Sequence, residues 1–122
     1  MEPSVLIVDD EANFLVLMDI ILAKEGYRVK TADNAEEALD LLEDESFGAA
    51  ILDIRMYPFD GVALLAEIKR RSPSTEVIMV TAYPTIDCRN DCMKHGAIGF
   101  LPKPVEIEEL KSVLRTLAVT DC

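Results

Sequence analysis

Apolar residues along this chain alternate between two patterns. Short unbroken runs, Val5-Leu6-Ile7-Val8, Ala49-Ala50-Ile51-Leu52 and Val77-Ile78-Met79-Val80, carry no polar alternation. Such runs suit strands covered on both faces, as in a parallel sheet. Between them lie stretches with helical spacing. Residues 12–24 present Phe14, Leu15, Leu17, Met18, Ile21 and Leu22 as one stripe, and Gly26 follows as a stop. Residues 27–32 predict a second, more polar strand. Asn34 predicts a helix cap with Glu37 as its partner three residues on, and Ala38, Leu39, Leu41 and Leu42 form that helix's inner face. A third helix opens at Gly61 with Leu64, Leu65 and Ile68 inward. A fourth, over 85–95, ends at Gly96. Residues 98–101 predict a fifth strand, and Ile107, Leu110, Val113, Leu114 and Leu117 mark a last helix. Its first turn gathers Glu106, Glu108 and Glu109 and Arg115 falls near its end, as the helix dipole favours.

Strand and helix thus alternate through the whole chain. The expected class is α/β, one domain over residues 1–122, with a parallel sheet, helices on both faces and right-handed crossovers. In such sheets ligands bind beyond the carboxyl ends of the strands. The residues there are distinctive: Asp9 and Asp10 after the first strand, Asp53 after the third, Thr81 after the fourth and Lys103 after the fifth. Singly, an Asp after a strand is commonly a helix cap and a Lys a solvated charge. Jointly they describe a site. Close carboxylates raise one another's pKa unless a cation neutralises them. Hard oxygen donors in an incomplete shell favour Mg²⁺, with Mn²⁺ as a substitute. A carboxylate beside such a cation can attack phosphorus, while a lysine and a hydroxyl stabilise charge on the phosphoryl oxygens. Asp53 is the candidate nucleophile.

Composition narrows the partners. The 122 residues carry a net charge of −11 with a pI near 4.4, so this domain is expected to repel nucleic-acid phosphates and anionic membranes. Three cysteines, Cys88, Cys92 and Cys122, and an N-terminus without a basic leader pattern suggest reduced thiols in a cytoplasmic setting. Cys88, Cys92 and His95 share a helical face, but no fourth soft ligand lies near them in sequence. They read as packing or tolerated surface groups. Met56, Met79 and Met93 read as core or gap filling.

Taken in order, Val8-Asp9-Asp10-Glu11, Leu52-Asp53-Ile54-Arg55-Met56, Asp60-Gly61, Val80-Thr81-Ala82-Tyr83, Gly96-Ala97 and Phe100-Leu101-Pro102-Lys103-Pro104 resemble the receiver domains of bacterial two-component response regulators (CheY-like). Thr81-Ala82-Tyr83, Ile86 and Met93-Lys94 look closest to the NtrC class. The resemblance covers essentially the whole chain. It implies a flavodoxin-like (βα)₅ three-layer sandwich with sheet order 2-1-3-4-5 and a cis Lys103–Pro104 peptide. It implies that Asp53 accepts a phosphoryl group from a sensor histidine kinase or a small phosphodonor. Mg²⁺ would be held by Asp10, by Asp9 largely through water, by Asp53 and by the backbone carbonyl of Arg55. Thr81, the Ala82 N–H and Lys103 would hold the phosphoryl oxygens, with Phe100 turning inward. The face of the fourth helix, fifth strand and fifth helix would then engage an output domain, a partner or a second copy, with transcription as an output. The family acts as a switch and not as an enzyme on other substrates.

Two features depart from that pattern or lie beside the site. Tyr57 stands where the family commonly has Pro, which comes next as Pro58. A reshaped loop is expected. Arg55 and Tyr83, two residues beyond Asp53 and Thr81, are candidates for slowing dephosphorylation by hindering water. The alternative function is a phosphorylation-independent interaction module, which the displaced Pro58 keeps open. A dehalogenase-type phosphatase would want an acid where Arg55 stands, and Asp9-Asp10-Glu11 would repel the phosphate of a flavin nucleotide.

Overall fold

A computed structural model describes residues 4–54 and 60–120, with side chains as far as Leu117. The elements run β1 (Ser4–Val8), α1 (Ala12–Lys24), β2 (Arg28–Ala32), α2 (Ala35–Asp44), β3 (Ala49–Asp53), α3 (Gly61–Arg71), β4 (Glu76–Thr81), α4 (Ile86–Lys94), β5 (Gly99–Pro102) and α5 (Ile107–Thr120). The five strands form one parallel sheet of order β2-β1-β3-β4-β5, the order the resemblance implies.

The unbroken apolar runs have a direct cause. Successive side chains of a strand point to opposite faces, and both faces are covered. Leu6, Val8, Ala50, Leu52, Val77 and Met79 pack beneath α2, α3 and α4. Val5, Ile7, Ala49, Ile51, Ile78 and Val80 pack beneath α1 and α5. Because β1 lies between β2 and β3, the chain leaves its carboxyl end toward one edge of the sheet and later leaves β3 toward the other. That divergence opens a crevice at the ends of β1 and β3.

Caps set most helix starts. Asn34 accepts from the Glu37 N–H, Asp60 from the Val62 and Ala63 N–H groups, and Thr85 from the Cys88 N–H. Gly26 and Gly96 take positive φ, +95° and +102°, where the chain leaves α1 and α4.

Six expectations need correction. Leu17 is 51% exposed, because Leu15, Met18 and Leu22, flanked by the half-buried Phe14 and Ile21, seat α1 on the sheet and Leu17 lies off that stripe. Met93 is 42% exposed, because Cys92 is the residue α4 buries. The last strand is shifted to Gly99–Pro102 and the second begins at Arg28. Arg115 lies well inside α5, which continues to Thr120, and Glu106 precedes that helix. Met56 and Cys122 lie outside the described residues.

Candidate functional site

The site begins with strands that deliver carboxylates to one place. The apolar run of β1 forces its last side chains into the sheet, so Asp9, the next residue, is fully buried while Asp10 turns outward and is exposed. Asp9 is fixed by its backbone N–H, which donates to the Ala32 carbonyl (3.1 Å). Its Oδ1 accepts from the Glu11 N–H (2.9 Å). Asp53 ends β3 and is 5% exposed. Each of Asp9, Asp10 and Asp53 offers a carboxylate oxygen, and the three lie within 4.8 Å of one another.

Gly61 makes room for this. Its N–H donates to the Ile54 carbonyl at 2.7 Å. A Cβ at Gly61 would overlap the Asp53 carbonyl oxygen and stand 2.7 Å from the Ile54 Cα. The start of α3 therefore lies against the backbone that carries Asp53, and the absence of a side chain permits it.

Lys103 closes the cluster from the other side. Its backbone N–H donates to the Thr81 carbonyl (2.7 Å), which ties the end of β5 to the end of β4. Its Nζ donates to Asp9 Oδ2 at 2.6 Å, Glu11 Oε1 at 2.9 Å and Asp53 Oδ2 at 3.2 Å. It also lies 4.6 Å from the centre of the Phe14 ring, within cation–π range. The peptide between Lys103 and Pro104 is cis. Burial opposes charge on Lys103, but the hydrogen bonds to Asp9 and Glu11 and the fields of Asp9 and Asp53 outweigh it, and its pKa is raised. Burial raises the Asp9 carboxyl, and the Asp53 charge adds to this; the Lys103 and Glu11 hydrogen bonds pull the other way.

Thr81 ends β4, 1% exposed, and its Oγ1 accepts from the Tyr83 N–H at 3.1 Å. A cavity of about 310 Å³ is lined by Asp10, Glu11, Asp53, Ala82, Tyr83 and Lys103. A second, largely apolar groove of about 490 Å³ adjoins it, between α1 and the segment after β5, with Phe14, Leu17 and Val105 in its wall. Phe100 is half-buried against the core beneath α3 and α4. Tyr83 is 62% exposed at the cavity rim. Arg55, Tyr57 and Pro58 lie outside the described residues, and with them the carbonyl ligand expected from Arg55.

The donor set fits a small hard cation. Three carboxylates within reach of one another, two of them buried, leave negative charge that one lysine offsets in part. Among the described residues, Cys88, Cys92 and His95 make no comparable cluster. The His95 ring faces Asp91, with Nδ1 2.8 Å from that residue's carbonyl oxygen. Burial pushes the Cys92 thiol up to about 12, which keeps it protonated and inert.

Two features escaped the sequence. One is the Glu11 carboxylate on Lys103. The other is the Phe14 ring beneath the same ammonium. Both follow from where α1 starts, and side-chain direction at a helix start has no periodic signature.

Residues 5–115 match the model of the response regulator receiver domain family. The chain is 36% identical over 111 residues to the transcriptional regulatory protein ZraR of Klebsiella oxytoca, which covers 91% of this chain and 25% of that protein. It is 37% identical over 111 residues to the response regulator protein PilR of Pseudomonas aeruginosa, again over 91% and 25%. The chain thus spans about a quarter of the length of these curated relatives. Among solved structures, a CheY-like receiver domain protein from Methanospirillum hungatei superposes with a TM-score of 0.92 at 31% identity, covering 99% of this chain and 98% of that one. The beryllofluoride-activated NtrC4 receiver domain dimer superposes with a TM-score of 0.88 at 33% identity, over 93% and 94%.

Proposed function

The chain belongs to the response regulator receiver domain family, and from that premise we propose that it is a phosphorylation switch in which Asp53 takes a phosphoryl group from a sensor histidine kinase. The observation that carries this reading is the buried Asp53 carboxylate, grouped with those of Asp9 and Asp10 and 3.2 Å from the Lys103 ammonium.

In this reading an Asp53 carboxylate oxygen attacks phosphorus as the bond to the donor's leaving group breaks, giving an acyl phosphate. Asp9, Asp10 and Asp53 would hold Mg²⁺, with the Arg55 carbonyl as a further ligand, and Mn²⁺ would substitute. When bound, the cation neutralises the carboxylates and offsets charge on the phosphoryl oxygens. The chain's own groups do the rest. Lys103, the Ala82 N–H and the Thr81 hydroxyl donate to those oxygens at the cavity they border. The Thr81 oxygen accepts from the Tyr83 N–H, and its O–H is the donor this reading assigns to a phosphoryl oxygen. Thr81 moves toward the group and Phe100 fills the space behind it. Arg55 and Tyr83 slow the return reaction by hindering water. If both Arg55→Ala and Tyr83→Ala leave dephosphorylation unchanged, that part is wrong.

The readout is the surface of α4, β5 and α5. It carries Ile86, 78% exposed, with Met93 and Ile98 at 42% and 44%. Such apolar exposure supports a contact surface for an output domain or a second copy, and a similar receiver domain, that of NtrC4, is a dimer. Transcription is the proposed output, since ZraR is a transcriptional regulatory protein. The domain itself binds no nucleic acid and performs no chemistry on other substrates, and a cytoplasmic setting fits the reading.

The test is to incubate the protein with Mg²⁺ and acetyl phosphate and weigh it intact beside Asp53→Asn. One added phosphoryl group on wild type, absent from the variant and from a chelator control, is expected. No adduct, with beryllofluoride also unbound, would leave only a phosphorylation-independent contact module.

A further inference from the structure

Glu11 occupies the cap position of α1, yet its side chain caps nothing. Asn34, Asp60 and Thr85 each turn a side-chain oxygen to the N–H groups of their own helix. Those residue types are preferred as caps because their oxygens reach the second or third N–H; glutamate is a methylene too long. The Glu11 carboxylate instead lies 2.9 Å from Lys103 Nζ, although its side chain is 65% exposed.

An ammonium has three N–H donors. Those of Lys103 are taken by Asp9, Glu11 and Asp53. Asp9 and Asp53 belong to the cluster whose oxygens lie within 4.8 Å of each other; Glu11 does not. Lys103 is therefore a built-in competitor for two carboxylates that a cation needs, and Glu11 is the partner it can keep when that cation arrives. The Phe14 ring, 4.6 Å from Nζ on the same α1 side, gives the displaced ammonium a second resting contact.

We propose that Glu11 is a positioning residue: it draws Lys103 toward α1, eases the entry of a divalent cation at Asp9 and Asp53, and then keeps the ammonium at the mouth of the cavity. This rests on the receiver reading but is measurable without any phosphoryl transfer.

The experiment is calorimetric titration with Mn²⁺ at an ionic strength of about 0.15 M, which screens the more distant charges of the surface. Glu11→Gln is expected to weaken binding by about threefold, the size of one exposed ion pair. Glu11→Asp keeps the charge but loses the reach, and its shorter carboxylate suits the vacant cap. It is expected to raise the melting temperature and still weaken the cation. In a Lys103→Met background, where the competitor is gone and binding is tighter, the loss from Glu11→Gln is expected to shrink to what the bare Glu11 charge contributes. An equal loss from Glu11→Gln in both backgrounds would overturn the proposal, since Glu11 would then act only as a field charge. So would Glu11→Asp binding as wild type does. A wild type that binds Mn²⁺ and shows this coupling, yet forms no adduct with acetyl phosphate, would remove the phosphoacceptor reading and leave the role of Glu11 standing.

Discussion

The two ends of the sheet each hold a lysine and a threonine, and they hold them differently. At the amino end Lys69 Nζ donates to the carbonyls of Pro73 (2.8 Å) and Thr75 (3.0 Å). Thr75, fully buried, donates to the Phe47 carbonyl (2.8 Å) and meets Ser72 Oγ at 2.7 Å. Every partner in those four hydrogen bonds is neutral, and the acceptors are mostly backbone. At the carboxyl end Lys103 is held by three carboxylates and Thr81 by one N–H. An incoming cation competes far better for clustered carboxylates than for carbonyls fixed in the turn after α3. The first arrangement is therefore a fixed staple and the second an exchangeable one. The lesson is that neither burial nor a nearby carboxylate marks the functional lysine, since Glu76 stands 3.7 Å from Lys69 Nζ; what marks it is that its hydrogen bonds go to carboxylates buried at the strand ends.

Replacing each lysine separates the two ends most sharply. Lys103→Ala is expected to slow acetyl-phosphate labelling of Asp53 by about a hundredfold, the cost of losing a preorganised charge-stabilising donor. The fold should survive. Lys69→Ala is expected to leave labelling unchanged and to cost about 1–3 kcal/mol, since the buried Thr75 carbonyl loses a charged donor. Time courses by intact mass and urea denaturation read the two effects. A Lys69 variant that folds normally but labels slowly would end the comparison.

The threonines should divide the same way. Thr75→Val leaves the Phe47 carbonyl without its donor and should lower stability by about 1–3 kcal/mol, with no change in cation binding. Thr81→Val removes an acceptor from the Tyr83 N–H beside open solvent, so its stability cost should stay under about 1 kcal/mol. Its expected defect is loss of the beryllofluoride-induced change at α4, seen as backbone amide shifts. Equal stability losses at both sites would show that Thr81 is a staple too.

This division also explains what could be read in advance. Strand runs, caps at Asn34 and stops at Gly26 and Gly96 are local signals, and the structure carries them. The strand-end rule brought Asp9, Asp10, Asp53 and Lys103 together although they are far apart in sequence. What periodicity could not give is side-chain direction at element ends. Leu17 turns out to solvent because α1 needs only a narrow seat. Glu11 reaches Lys103 because it is too long to cap. The amino-end staple was invisible for the same reason: Lys69 and Thr75 belong to no motif, and only the turn after α3 brings them together.

A comparably small effect is expected from the buried carboxylate itself. Burial, with help from Asp53, raises the Asp9 carboxyl above its ordinary value. Folding therefore favours its protonated form, a contribution present at low pH and lost as pH rises through the folded pKa. Ionised Asp9 is thus a cost to the cation-free fold near neutrality, and Asp9→Asn in chelator should be more stable than wild type. That advantage should shrink as pH falls into the range where Asp9 takes up its proton. Saturating Mg²⁺ should reverse the order, because a ligand that binds only the folded wild type stabilises it by mass action. Melting temperatures of both proteins, with chelator and with Mg²⁺ across that pH range, measure all three. A variant less stable than wild type in chelator would mean that the 2.6 Å contact with Lys103 outweighs the burial of Asp9. The carboxyl-end lysine would then be a staple in the resting state as firmly as Lys69 is, and exchange would have to be driven by the cation alone.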